Sequence, residues 1–424
     1  MPRSVVIPGT SYSRVGLRDA RRALTPCGVA PYVRRMNFFM FHLMPWPYLP
    51  ESYEGPAWVT CSNAYYDGRR GHDLYNRYLD ELVRAEALGF DGVCVNEHHA
   101  NAYGNMPSPN LIASILARQT SRVRIAVVGN ALPLYNPPLR VAEEYAMIDC
   151  ISGGRLVAGM VVGGGPEYYS NGLNPAEARG RFGEALDLIL RCWTEPGPFV
   201  HMGKYYKLRY VNPWPTPIQK PHPPIWIPGA GSYETMDFVA KRRWAYMGIP
   251  YFHRRVFKKN FDYFREACAR EGYTASPDQM GWLVPVYVAE TDARARAEFE
   301  PHLWYFAKKL LPGINIAPPG YTSARSALKM LGSFGDFLLN VGSWDEVVAG
   351  AYAIVGSPAT VRAQMAELAR ELGVGNVLTL LQLGTLPTDL TRRNMELFAT
   401  EVMPALRRDL AGPVERAAVA APLA

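Results

Sequence analysis

VRIAVVGNALPLYNPPLRVAEEYAMIDCISGGRLVAGMVVGGG, residues 123–165, reads as one strand-helix-strand unit. Val123 to Leu132 is a short run of small and β-branched apolar residues, the composition of a strand buried on both faces. Pro138 then opens a helix through Ser152, because proline is tolerated in a first turn, where the N–H has no helical partner. After the Gly153–Gly154 turn a second apolar run ends in three glycines, Gly163 to Gly165. Two such runs joined by a helix pair in parallel.

The same alternation extends in both directions. Upstream lie a strand from Asn37 to Met44, a Pro- and aromatic-rich loop to Gly71, a helix, a strand from Gly92 to Glu97, and a helix opened by Ser108 and Pro109. Downstream come a helix to Thr194, a hairpin over FVHMGKYYKLRYVNPWP, and a fifth strand, PPIWIPG, with its helix SYETMDFVAKR. A sixth strand, WAYMGIP, precedes a helix from about Arg255 to Glu271, and the seventh spans Gly281 to Glu290. Residues 291–350 are too long for a loop and are expected to form a helical lid beside the mouth. Ser357 caps the next helix, and the eighth strand, Asn376 to Gln382, is followed by the closing helix. The expectation is an α/β (β/α)8 TIM barrel with a hairpin insertion and a helical lid insertion before the last βα unit. Residues 1–35 read as a disordered or mis-started leader, 36–410 as the barrel and 411–424 as a flexible tail.

The 424 residues carry a formal charge of +7, but seven Arg against the single Asp19 put +6 of it in residues 1–35. A body at +1 lacks the basic face that nucleic-acid binding requires. The six cysteines (Cys27, Cys61, Cys94, Cys150, Cys192, Cys268) show no CxxC pair and no metal-ligand spacing, so free thiols in a cytoplasmic compartment are expected. No apolar run is long enough to span a membrane.

A TIM barrel builds its site from whatever follows each strand. That rule selects His42, Glu97, His98, His99, Asn130 with its neighbours, Val161 to Glu167, and Gly229 to Ser232. Two adjacent histidines at a strand end can be metal ligands, satisfied structural imidazoles, or a proton donor and base beside an organic cofactor. The second and third readings outweigh the first, because Asn130, Val162 and Gly229 stand where further ligands would be needed. The glycines after the fourth strand allow close backbone approach to a planar or phosphate-bearing ligand, although GGG is not a dinucleotide fingerprint. IPGAGSYETM sets Ser232 and Thr235 at a helix start, which is either a phosphate site or an ordinary cap. Aromatic residues such as Phe39, Phe41, Trp46, Tyr48 and Tyr103 suit an apolar pocket.

The segments GFDGVCVNEHH, residues 123–156, GGGPEY and PPIWIPGAGS together resemble the bacterial-luciferase-like family of flavin-dependent monooxygenases, from Met36 to about Leu410. The resemblance implies a TIM barrel and a homodimer or homotetramer. It also implies reduced FMN delivered by a separate flavin reductase and dioxygen used to oxygenate a small, largely apolar substrate. Some members instead bind 8-hydroxy-5-deazaflavin and transfer hydride; a non-catalytic flavin-binding protein is a third reading. Carried over, His98 falls on the catalytic histidine, with His99 beside it and Glu97 or His99 orienting it. Asn130, Ala131 and Leu132 fall against the isoalloxazine, with a non-proline cis peptide expected between Ala131 and Leu132. Gly163 and Gly229 belong to the glycine turns, and Gly231 and Ser232 match the phosphate turn. Luciferase has an arginine for the phosphate where this chain has Val162, which leaves the helix start, its hydroxyls and Tyr168 to hold that group.

Overall fold

The computed structural model describes residues 33–34, 36–314, 316 and 318–413. Eight parallel strands close into a barrel: β1 (Asn37–Phe41), β2 (Gly92–Val95), β3 (Arg124–Ala131), β4 (Leu156–Val161), β5 (Ile225–Gly229), β6 (Ala245–Gly248), β7 (Met280–Val288) and β8 (Asn376–Leu380). Each pairs with the next in chain order, and β8 returns to β1 through Leu378–Phe39 and Leu380–Phe41. Every residue of β2, β6, β7 and β8 is buried, because side chains alternate between a filled barrel interior and a helical jacket.

The helices used below are α1 (Gly68–Ala87), α2 (Pro109–Gln119), α3 (Leu139–Ser152), α4 (Gly165–Ser170), α5 (Ala178–Thr194), α6 (Tyr233–Lys241), α7 (Arg254–Arg270), α8 (Asp292–Tyr305) and α9 (Ala324–Phe334). The expected hairpin is present as an antiparallel pair, Phe199–Met202 with Lys207–Val211. Residues 291–350 contain α8, α9 and a short helix, Trp344–Ala349. After them comes an element the sequence reading did not include: Ile354–Gly356 extends the barrel edge by pairing with Val286–Val288. Three residues are too few to show a period. Ser357 then caps the following helix by accepting from the Thr360 N–H. No helix among the described residues is long and apolar enough to cross a membrane.

The leader and tail expectations fall almost wholly outside the described residues. Within them, Val33–Arg34 and Gly412–Pro413 pair as a two-residue antiparallel ladder.

One irregularity shapes the mouth. The β3–β4 register runs evenly to Val127–Ala158 and resumes at Asn130–Met160, so Val128 and Gly129 oppose the single Gly159. A side chain on Gly159 would sit 1.9 Å from the Val127 carbonyl oxygen, and one on Gly129 2.4 Å from the Gly159 carbonyl carbon. The bulge therefore needs glycine on both strands. Its Val128–Gly129 peptide is cis, which corrects the expected position between Ala131 and Leu132.

Candidate active site

A cavity of about 430 Å³ opens where the strands end, within the range of small-molecule sites. Its walls come from Glu97 and His98 after β2, the Val128–Gly129 bulge, Val161 to Gly165 at the end of β4, Gly229, Ala230 and Ser232 at the end of β5, and Gly248 to Phe252 at the end of β6. Ile314, Ile316, Tyr321 and Phe337 cover it from the 291–350 insertion.

Each member of the histidine pair has its own carboxylate. His98 Nδ1 lies 3.1 Å from Glu167 Oε1, and the other oxygen of Glu167 accepts the Gly164 N–H at 2.7 Å. Burial alone would raise the Glu167 pKa, but His98, the Gly164 N–H and the charge of His99 outweigh it and hold the carboxyl below its ordinary value. An ionised Glu167 only accepts, so His98 Nδ1 carries the proton and Nε2, which has no protein partner among the described residues, is left for a ligand. The His98 ring is fixed edge-on against Trp58 and Tyr103, each 5.0 Å away between centroids.

His99 is absent from the cavity wall and turns to Glu97, with Nε2 to Oε1 at 2.7 Å. The second oxygen of Glu97 accepts from Asn130 Nδ2 at 3.0 Å, the Ala131 N–H at 3.1 Å and the Tyr135 hydroxyl at 2.8 Å. Glu97 thus ties the end of β2 to the end of β3. It does not orient His98, as the sequence reading allowed; Glu167 does, and the sequence reading gave that residue no role. Burial pulls the His99 pKa down, but the bond to Glu97 and the charges of Glu97 and Glu167 prevail and raise it. A raised histidine pKa adds stability that is fully present below the unfolded value and lost as pH rises through the folded one. Replacing His99→Asn should therefore cost more stability at pH 6 than at pH 8.5, read from urea unfolding of both proteins at each pH.

A second polar cluster forms where α5 crosses the start of α6. Arg179 donates to Ser232 Oγ at 3.1 Å and to Thr235 Oγ1 at 3.4 Å, and Ser232 Oγ lies 2.7 Å from Thr235 Oγ1. The Arg179 Nε–H is buried with no acceptor among the described residues. Ser232 occupies the cap position of α6 without capping it, so the helix start stands beside a guanidinium and two hydroxyls, with the Glu234 carboxylate 3.9 Å from Arg179. An oxyanion fits that donor set. The 291–350 insertion reaches it: Lys329 of α9 donates to the Gly231 carbonyl and to Asn260 Oδ1, and Ser323 and Ser326 both hold Glu234. Burial, with smaller contributions from nearby charges, depresses Lys329 to about 8.

The remaining sequence-selected residues are distributed as follows. Val162, Gly163, Gly229 and Ser232 line the cavity, and Gly231 lies in the same turn with φ +95°. Asn130, Ala131 and Leu132 do not reach it: all three are fully or nearly fully buried, and the bulge presents Val128 and Gly129 in their place. Tyr168 is corrected as well, because its hydroxyl donates to the Val162 carbonyl behind the glycine loop and is unavailable to a phosphate. His42 is buried between Glu81 and the Met44 N–H, far from any ligand role. Among the described residues no group of three or more His, Cys, Asp or Glu side chains is arranged to hold a metal.

A closed TIM barrel with a covered cavity at its strand ends, a carboxylate-held histidine and an oxyanion-fitting cluster defines a class of barrel proteins with a small-molecule site at the mouth. The chain belongs to the luciferase-like monooxygenase family, whose sequence profile matches residues 58–376. It is 36% identical over 161 residues to the uncharacterized protein y4wF of Sinorhizobium fredii, a match spanning 37% of this chain and 46% of that one. It is 24% identical over 342 residues to 2,5-diketocamphane 1,2-monooxygenase 2 of Pseudomonas putida, spanning 73% and 88%. Among solved structures, monooxygenase RslO1 of Streptomyces bottropensis superposes with a TM-score of 0.65 at 24% identity, covering 87% of this chain and 99% of that one. The FMN complex of the Pseudomonas putida 3,6-diketocamphane monooxygenase gives the same TM-score at 20% identity, covering 87% and 98%.

Proposed function

We propose that the chain is the oxygenase of a two-component flavin monooxygenase, taking reduced FMN from a separate flavin reductase and oxygenating a small, largely apolar molecule. The observation that carries this reading is the Arg179, Ser232 and Thr235 cluster beside His98 in one cavity. Its unpaired Arg179 Nε–H and the hydroxyls at the α6 start suit a phosphate monoester, and the Val128–Gly129 bulge lines the same cavity. Arg179 replaces, from a different element, the arginine that Val162 lacks. The name of a relative in Acinetobacter baylyi, a flavin-dependent trigonelline monooxygenase, oxygenase component, supports a separate reductase.

Bound reduced FMN would supply the electrons that activate dioxygen. Arg179, Ser232, Thr235 and the α6 start would hold its phosphate. His98, kept in one tautomer by Glu167, holds or delivers a proton at Nε2 toward the cavity. The insertion excludes water from that space.

Arg179→Ala removes a charge-assisted donor set whose loss is worth about 2 kcal/mol, or about 30-fold in affinity. Reduced FMN should bind that much more weakly to the variant in anaerobic titrations, while riboflavin, lacking the phosphate, should bind both proteins alike. An equal loss for both ligands would remove the phosphate from this cluster.

A further inference from the structure

We propose that the hydroxyl pair of Tyr103 and Tyr251 anchors the substrate by donating to an uncharged acceptor, a carbonyl oxygen, and so selects ketones or aldehydes over hydrocarbons and anions. The inference rests on the monooxygenase reading for its claim that a substrate enters this cavity.

Both rings line the cavity, and their hydroxyl oxygens lie 3.0 Å apart. Two phenols carry two protons, and their mutual bond uses one. The other has no acceptor among the described residues, and the rings of Trp58, Phe306 and Phe337 pack around the two tyrosines. Burial raises both phenols above their ordinary value, so neither loses its proton near neutrality. A buried donor facing an apolar space is unfavourable until a ligand accepts from it.

The backbone shows that this position is enforced. Tyr251 has φ +77°, a region L residues rarely adopt, and its carbonyl accepts the Leu338 N–H from the insertion at 2.8 Å. The insertion therefore helps to hold the backbone that carries the Tyr251 hydroxyl against Tyr103. The Tyr103 ring in turn contacts His98, so an oxygen held by the pair sits beside the imidazole. Charge decides between acceptors. Glu167, which holds His98 against Tyr103, lines the cavity, and an anionic group beside that imidazole would lie near its carboxylate. A neutral carbonyl meets no such repulsion.

The test uses the full chain, with and without FMN, and three shape-matched probes: acetophenone, α-methylstyrene and benzoate. Calorimetric titration should show acetophenone binding about tenfold or more tighter than the other two, the discrimination of one buried hydrogen bond. The double variant Tyr103→Phe/Tyr251→Phe should bring acetophenone and α-methylstyrene within about twofold of each other, with reduced-FMN affinity unchanged. Both residues must change, because either phenol left alone would still donate. In the wild type, the carbonyl stretch of ¹³C-labelled acetophenone should move to lower wavenumber on binding; this reading needs no variant and stands if the double variant fails to fold. Equal binding of acetophenone and α-methylstyrene, an unshifted stretch, or a preference that survives the double substitution would overturn the inference. Ketone preference in a protein that does not bind FMN would overturn the flavin reading and leave the anchor standing.

Discussion

His98→Ala leaves the affinity for reduced FMN within about twofold and lowers oxygenated product by about 100-fold, the usual worth of a positioned proton donor. The expectation follows from what the ring touches. Its Nδ1 is committed to Glu167, its faces to Trp58 and Tyr103, and its Nε2 alone is turned loose beside the cavity. None of the phosphate-cluster residues contacts it, so removal should not disturb flavin binding. Oxygen consumed in the variant should instead emerge as hydrogen peroxide, read by a peroxide assay beside product quantified by mass spectrometry. Glu167→Gln should give a smaller loss, because the amide oxygen can still accept from Nδ1 and hold the ring in place. A His98→Ala protein that couples oxygen to product as the wild type does would end the role.

Glu97→Ala should destabilise the fold by about 3 to 5 kcal/mol, the cost of removing one member of a buried, paired charge. Four donors converge on this one carboxylate: His99 Nε2, Asn130 Nδ2, the Ala131 N–H and the Tyr135 hydroxyl. Alanine leaves His99, the Ala131 N–H and Tyr135 without their acceptor and Asn130 Nδ2 with only the Tyr135 hydroxyl, and burial denies most of them water. Glu97→Gln should lose less, since its carbonyl oxygen can still accept. Urea unfolding followed by circular dichroism reads the difference. A Glu97→Ala midpoint near the wild-type value would show that the β2–β3 tie does not hold the mouth.

The barrel was legible because strands buried on both faces form unbroken apolar runs, and each helix between them carries its own start signal. Glu97, His98 and His99 were legible as a group, since they directly follow such a run. Their division of labour was not: which carboxylate serves which imidazole depends on α4 folding back against the β2 loop. The signal was present in GGGPEY, where Gly164 and Glu167 have the spacing of a helix cap, with the Glu side chain reaching back to the cap N–H. Residues 125–128 are so uniformly apolar that their spacing does not say which side chains face the cavity. The bulge that settles it required pairing β3 with β4, and the hint was a glycine at both Gly129 and Gly159. Arg179 was invisible for a different reason. It belongs to α5, and its place beside Ser232 exists only after α5 and α6 pack on adjacent strands.

The most direct measurement is an anaerobic titration of the protein with reduced FMN and, separately, reduced riboflavin. Saturable binding of one reduced FMN per chain is expected, tighter than riboflavin, with that advantage lost in Arg179→Ala. No saturable binding, or equal binding of the two flavins to the wild type, would contradict a cavity built around Arg179, Ser232 and Thr235 for a flavin phosphate.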